Sequence, residues 1–180
     1  MASVEPAVPP PPAESAVPEA PPLLDDEGEL LPQTKDEPSI DTPLFEHRLG
    51  LLWKAIVADD PEIARSFFFP KEAYLKVKAI KDPGRDWERR LWKLFVRDIH
   101  EYHRKLGPDP KEARFVRLDF PEGKAHWMKK HKEGNAIGYY RVKRPYLVFT
   151  DADGKERKLE ITVMISWRGQ WHVVHLHGFE

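Results

Sequence analysis

Three histidines near the end of the chain are spaced so that they could do chemistry. His172, His175 and His177 fall within the run QWHVVHLH, which is rich in apolar and β-branched residues. Alternate side chains of a regular strand share a face, so His175 and His177 would point to one side and His172 to the other. Two neutral imidazoles could bind zinc with further ligands, or could act as acid–base groups. A structural role is the main expectation, and no metal, cofactor or catalytic residue is assigned.

The side chains opposite these histidines depend on the turn at Arg168-Gly169. A two-residue turn would place Thr162 and Glu160 across from the two imidazoles, which gives a semi-polar face. A three-residue loop with a bulge would place Ile161 and Leu159 there instead. Arginine is a poor residue for positive φ, which slightly favours the three-residue loop.

Other motifs that could carry chemistry are weaker. The segment His100-Glu101-Tyr102-His103 places its histidines at i and i+3, whereas a zinc-protease helix needs them at i and i+4. Basic and aromatic residues alternate within 126–132 and 139–146, and such residues can bind single-stranded nucleic acid. The basic excess is spread over every element, so nucleic acid is not expected as a partner. The sequence contains no GxSxG elbow and no Walker-type phosphate loop.

Helices come first along the chain and strands follow. Thr42-Pro43 is typical of a helix start, and the apolar spacing predicts a helix over 43–58. A short helix capped by Asp60 follows, and the Phe67–Phe69 block should lie under the sheet. The remaining predicted elements are a short strand over 74–78, a long helix from Pro83 to Leu106, a strand over 113–120, an irregular basic stretch over 124–136, and three strands within 139–179.

This order predicts an α+β fold, with N-terminal helices packed on a curved, mainly antiparallel sheet. Two stretches carry a family resemblance, WKAIVADDPEIARSF at 53–67 and ISWRGQWHVVH at 165–175. On these residues the domain resembles the cone-shaped nuclear transport factor two-like superfamily, which includes ketosteroid-isomerase-like and polyketide-cyclase-like proteins. The resemblance spans about 43–179 and implies a cavity between sheet and helices. Its catalytic residues have no match here.

The N-terminal part differs in composition from the rest. Residues 1–42 carry ten acidic side chains and one basic one, a net charge of −9, while the remainder has a net charge of +8. Ten of the 18 prolines also lie in this part. The composition predicts a disordered, Pro-rich acidic leader over 1–41 and one domain over 42–180. No targeting or transmembrane segment is visible, which predicts a cytoplasmic protein, or an envelope protein if the N-terminus is a processed boundary.

Three functions follow as hypotheses. The first is a non-enzymatic module that binds a small molecule or a protein partner, as a monomer or a homodimer. The second is a small isomerase or dehydratase that uses a pocket carboxylate or histidine as acid or base. The third is polyanion binding by the basic domain, gated by the acidic leader. The candidate pocket residues are Trp53, Tyr74, Trp127, Tyr140, Glu160, Thr162, His175 and His177.

Overall fold

The computed structural model describes residues 16–178. Within this range the chain forms four α-helices and two antiparallel sheets, so the predicted α+β class is confirmed. The helices precede the sheets along the chain, and one apolar core lies between them. Every helix of the described part is too short or too polar to cross a bilayer.

The helical layer begins where the sequence predicts it. Helix α1 spans Pro43–Ala58, and the Thr42 hydroxyl accepts a hydrogen bond from the amide of Phe45 at 3.2 Å. A 3₁₀ helix then spans Pro61–Phe67, with Asp60 as its cap. The other helical segments are α2 at Lys71–Val77, α3 at Pro83–Asp86, a π-helical turn at Trp87–Trp92, α4 at Lys93–Lys105 and a 3₁₀ turn at Pro110–Glu112.

The predicted strand over 74–78 is wrong, because these residues belong to α2. Ala73, Tyr74 and Val77 are buried, whereas Leu75 is 43% exposed. Burial therefore recurs every three to four residues, which is the helical period and not the alternation of a strand. The long helix is confirmed as a continuous run from Pro83 to Lys105, with the π-helical turn inside it.

Seven strands form the two sheets of the described part. One sheet has the order β1-β4-β5 and the other has the order β2-β3-β6-β7, with every pair antiparallel. The strands are β1 at Arg114–Asp119, β2 at His126–Met128, β3 at Tyr139–Lys143, β4 at Tyr146–Thr150, β5 at Glu156–Glu160, β6 at Val163–Trp167 and β7 at Gln170–His175.

The structure has five strands within 139–179, where the sequence predicts three. The chain leaves one sheet at Arg144-Pro145 and returns to it at Ile161-Thr162. Arg144 has φ +60°, and Pro145 has no amide hydrogen for a ladder. The two breaks lie side by side, since the amide of Arg144 donates to Thr162 O at 3.2 Å and the amide of Ile161 donates to Pro145 O at 2.7 Å. Both strands of this hairpin therefore change sheet at the same level.

The three consecutive phenylalanines lie in the core, as the sequence predicts. Phe67, Phe68 and Phe69 are each at most 2% exposed. The amide of Phe69 donates to Val173 O on β7 at 3.0 Å, which joins the segment to the four-stranded sheet. This contact holds the segment to the sheet, while Phe68 packs on Phe95 of α4 at 4.7 Å within the helical layer.

The predicted leader has two parts in the structure. Residues 1–15 lie outside the described residues, so their disorder stays a prediction. Residues 16–41 lie along the domain, where Gln33 donates to Ser166 O at 3.1 Å and accepts from the amide of Arg168 at 2.7 Å. Leu23, Leu30 and Ile40 pack against the core. This part of the leader therefore has defined contacts with the domain.

Candidate functional site: a basic cavity between helices and sheet

A cavity of about 610 Å³ lies between the helical layer and the four-stranded sheet. Helix α2 contributes Tyr74 and the π-helical turn contributes Arg90, while β3, β6 and β7 supply the opposite wall. The cavity is within the size range of small-molecule sites. Five cationic side chains line it, and we call it the basic cavity: Lys78, Arg90, Arg141, Lys143 and Arg144.

Positive charge exceeds negative charge in this lining. Glu133 is the carboxylate among the described lining residues, and it pairs with Arg141 at 2.6 Å. Lys143 has no ion-pair partner among residues 16–178, and Arg144 reaches Glu160 only at 4.0 Å. The wall therefore keeps cationic groups that can pair with an anion.

A charged network connects the two helical segments of the cavity. The Tyr74 hydroxyl donates to Asp86 Oδ2 at 2.5 Å, and Arg90 donates to both oxygens of Asp86 at 2.7 and 2.6 Å. Asp86 and Arg90 are one helical turn apart, which is the spacing at which such pairs meet. The hydrogen bond from Arg90 holds the pKa of Asp86 below its usual value, so this carboxylate is ionised at neutral pH.

Asn135 connects the loop between β2 and β3 to the cavity. Its side chain is fully buried, accepts from Lys78 Nζ at 2.9 Å and donates to the Tyr139 hydroxyl at 2.9 Å. Lys78 also donates to Glu133 O at 3.2 Å. Burial lowers the pKa of Lys78. The ammonium group is thus held between polar atoms in a partly desolvated place.

His175 lines the basic cavity. Its cross-strand partner is Val163, which differs from the partner in both predicted registers. Arg168 and Gly169 have φ +48° and +70°, which is a two-residue turn, so the slightly favoured three-residue loop is wrong. A bulge then shifts the pairing: Met164 faces Val173 and Val163 faces His175.

The imidazole of His175 is 8% exposed. Burial lowers its pKa to about 4, and the charges of Arg90 and Lys78 act in the same direction. His175 is therefore neutral at pH 7, and a neutral imidazole can accept a proton or a hydrogen bond.

The eight candidate pocket residues do not meet in one cavity. Tyr74, Thr162 and His175 line the basic cavity. Thr162 also lines a second cavity of about 580 Å³, together with Glu160 and His177. His177 lies by Glu101, at 3.4 Å, so the two histidines do not form a shared site.

The other three aromatic candidates lie elsewhere. Trp53 packs on Phe149 of the three-stranded sheet at 5.4 Å. Trp127 lines a third cavity beside residues of the leader. The ring of Tyr140 packs edge-on against the ring of Trp127, with 5.1 Å between the ring centroids. These side chains are part of the packing between layers and of the leader's contact surface.

The main cationic residues of the site are not among the candidates. Arg90 has a local signal, since it follows Asp86 by four residues within the predicted long helix. Arg141, Lys143 and Arg144 lie in the basic strip noted in the sequence. Lys78 and Asn135 are far apart along the chain, and nothing local in a single sequence brings them together.

The His-Glu-Tyr-His segment has structural contacts. His100 Nδ1 lies 2.6 Å from Asp59 Oδ1, and His103 Nδ1 lies 2.9 Å from Ile56 O. Both imidazoles therefore tie α4 to the end of α1. Among residues 16–178, no three histidine or carboxylate side chains are placed to hold a metal ion.

Comparisons of the chain with family models, with curated proteins and with solved structures find no match. The resemblance to the nuclear transport factor two-like superfamily therefore stays a prediction.

Proposed function

We propose that the protein is a non-enzymatic module that binds a small anionic molecule, with a phosphate group as the anion, in the basic cavity. The observation that carries this proposal is the convergence of five cationic side chains on a lining with one carboxylate. These cations come from separate segments of the helical layer and the sheet, so only the folded chain brings them together. Such convergence is the feature expected of a ligand site.

The arrangement suits a phosphate group. Arginine offers a planar set of donors that matches phosphate oxygens, and lysine adds a compact charge. Lys143 and Arg144 are exposed at the rim, where they can attract the anion, while Lys78 and Arg90 lie deeper. The hydroxyls of Tyr139 and Thr162 add polar groups to orient the ligand.

Acid–base catalysis in the same cavity is the second candidate. Its candidate base is His175, which is neutral at pH 7, but burial and the charges of Lys78 and Arg90 lower its pKa to about 4 and so make it a weak base. No described lining residue is a serine or cysteine that could act as a nucleophile. An enzymatic role would therefore be proton transfer, as in the isomerase or dehydratase hypothesis.

Gating by the acidic leader finds no support in its described part. Residues 16–41 contribute no side chain to the described lining of the basic cavity. They lie instead along the β6–β7 turn and α2, where Gln33 and Lys76 line another cavity. We therefore propose that the ligand of the basic cavity is a small molecule that enters without displacing residues 16–41.

Binding of inorganic pyrophosphate, measured by calorimetry, tests the proposal. The double variant Lys143→Gln/Arg144→Gln should weaken binding by about tenfold or more, because it removes two cations from the rim. The matched control Lys129→Gln/Lys130→Gln removes the same charge from an exposed loop outside the cavity. The control should leave the affinity close to that of the wild type.

Equal weakening by the two double variants would mean that the domain attracts anions without a site, and the proposal would then be wrong. Full pyrophosphate affinity in Lys143→Gln/Arg144→Gln would have the same consequence. Native mass spectrometry of the purified full chain adds an independent check, since a bound anion should survive in the wild type and be lost in the cavity variant.

A further inference from the structure

A second site is indicated by Arg48, a buried cation in the middle of α1. Its side chain is 7% exposed. No carboxylate lies within 4 Å of its guanidinium among residues 16–178, and no hydrogen bond joins it to a described residue. Arginine is rarely buried without a partner, because an unpaired charge loses its hydration. A group of this kind needs an explanation.

Arg48 lines a cavity of about 520 Å³ that we call the Arg48 cavity. Its walls include four large aromatic side chains, which are Phe68, Phe69, Trp87 and Trp167. Among the described residues, Trp167, Trp171 and His172 each have a side-chain nitrogen with no hydrogen-bond partner and no access to solvent. The nitrogens of Arg48 do not belong to this group, so they are accessible. The guanidinium therefore faces the open volume of the cavity.

The other cations around this cavity already have partners. Arg65 pairs with Glu62 at 2.6 Å and lies 4.0 Å from the Trp92 ring. Lys71 pairs with Glu88. Arg168 donates to the backbone oxygen of Pro32. Arg48 is thus the cation of this described lining that lacks a partner, and the lining also includes the exposed carboxylate of Glu72.

His172 cannot neutralise Arg48. It lies in the same lining, is 3% exposed, and packs edge-on against the ring of Phe69. Burial lowers its pKa to about 3, and the charge of Arg48 acts in the same direction, so the imidazole is neutral at pH 7. It has no negative charge to offer. The guanidinium therefore has no carboxylate within 4 Å, while Glu72 and Glu88 line other parts of the cavity and Glu88 pairs with Lys71.

We propose that the Arg48 cavity binds a small monocarboxylate with an apolar body. A carboxylate accepts two parallel hydrogen bonds from a guanidinium, and a single negative charge matches a single unpaired cation. Aromatic walls would bury the apolar body. A multiply charged phosphate fits less well, since the remaining wall offers few free charges. This site shares no described lining residue with the basic cavity, so the two proposals are independent.

The leader forms part of this site. Pro21, Pro22 and Leu23 line the Arg48 cavity opposite the helical layer. An apolar ligand would therefore contact both the domain and residues of the leader. The proline-rich composition suits this role, because prolines give an apolar surface without amide donors that would need partners.

The test uses 3-phenylpropionate as the probe and its amide as the neutral counterpart. Titration of the full chain, followed by the indole NH signals of Trp87 and Trp167, should give saturable shifts with the acid. The amide should bind at least about tenfold more weakly, because it cannot form the charged bidentate pair. Equal affinity for acid and amide, or no saturable shift with the acid, would overturn the proposal.

Two variants locate the charge. Arg48→Met should abolish the preference for the acid and should raise the melting temperature or leave it unchanged, because it removes an unpaired buried charge. Arg48→Lys keeps the charge without the planar fork, and should weaken acid binding several-fold. If Arg48→Met fails to fold, the lysine variant and the acid–amide comparison still decide.

Lys129→Gln, at an exposed position that lines neither cavity, is the control, and it should leave probe binding unchanged. An Arg48→Met protein that binds the acid as tightly as the wild type would show that Arg48 does not anchor the ligand. A lowered melting temperature in Arg48→Met together with unchanged probe binding would assign Arg48 a structural role. Loss of pyrophosphate binding in the rim variant has no bearing on either result.

Discussion

Val163 faces His175 across the β6–β7 hairpin, because Val174 is an extra residue in β7. This one-residue shift sets the cross-strand partner of His175. His175 lines the basic cavity, whereas His177 lines the neighbouring cavity by Tyr102. A bulge re-aims side chains in this way because two residues of one strand oppose a single residue of its partner.

The buried His175 should make stability depend on pH. Its pKa falls from 6.5 to about 4 on folding, so between these values the unfolded chain binds a proton that the folded chain does not. Stability is therefore fully present above pH 6.5 and is lost as the pH falls towards 4. Arg90, Lys78 and Asp86 are the charged groups around this imidazole, and the two cations act with burial.

Replacing His175 by glutamine should flatten this profile. The variant should lose up to about 3 kcal/mol of pH dependence between pH 6.5 and 4, as measured by urea unfolding at a series of pH values. Some slope should remain, because burial lowers the pKa of His172 as well. His126→Gln, at an exposed site of β2, should keep the wild-type profile. An unchanged slope in His175→Gln would contradict the burial of this imidazole.

The helical layer could be predicted from local signals. The Thr42-Pro43 start and the apolar spacing of α1 agree, and both are read within a few residues. The sequence predicts a strand at α2 because Tyr74-Leu75-Lys76-Val77 alternates in polarity over four residues, a length at which the helical and the strand period both fit. The burial of Ala73 beside Tyr74 distinguishes the helix from a strand, and this burial depends on tertiary contacts.

The site was less predictable than the fold. The bulge at Val174 and the positive φ of Arg144 have no reliable signal in one sequence, and both decide which side chains reach the basic cavity. Pro145 is a visible sign of a strand break, but not of a change of sheet. The contact of Lys78 with Asn135 joins residues that are 57 positions apart. Such contacts exist only once the chain is folded.

The Tyr74 hydroxyl should stabilise the network of the basic cavity. Tyr74→Phe should lower the free energy of unfolding by about 1–2 kcal/mol, because the charged acceptor Asp86 loses a donor. Burial and the bond to Asp86 raise the pKa of Tyr74, so its hydroxyl remains the donor at neutral pH. Urea unfolding of Tyr74→Phe, Asp86→Asn and the double variant should show that the two changes are not additive.

Tyr140→Phe is the matched control for this network. The Tyr140 hydroxyl has no hydrogen bond to a described residue, so its loss should change stability by less than about 0.5 kcal/mol. Additive effects of Tyr74→Phe and Asp86→Asn would show that the two groups do not interact in solution.

Gly138 should not tolerate a side chain. A Cβ atom there would lie 2.5 Å from Trp127 Cζ2 and 2.9 Å from Met128 O, closer than atoms can approach. Gly138→Ala should therefore lower the free energy of unfolding by about 2 kcal/mol and shift the Trp127 fluorescence.

Gly50→Ala serves as the comparison, since it makes the same change in the exposed middle of α1, where no atom lies within 4 Å of the added Cβ. It should raise stability by about 0.5–1 kcal/mol, because alanine favours a helix. Equal stability of the two variants would contradict the close approach of Gly138 to Trp127.

Gln33 should hold the described part of the leader to the domain. Its side-chain amide donates to Ser166 O and accepts from the amide of Arg168, so Gln33→Ala removes two bonds to the β6–β7 hairpin. The variant should speed hydrogen exchange at the Arg168 amide and cost about 1–2 kcal/mol of unfolding free energy. Glu37→Ala, an exposed change in the same segment, should alter neither. Identical exchange in the wild type and Gln33→Ala would mean that residues 16–41 are as disordered as their composition predicts.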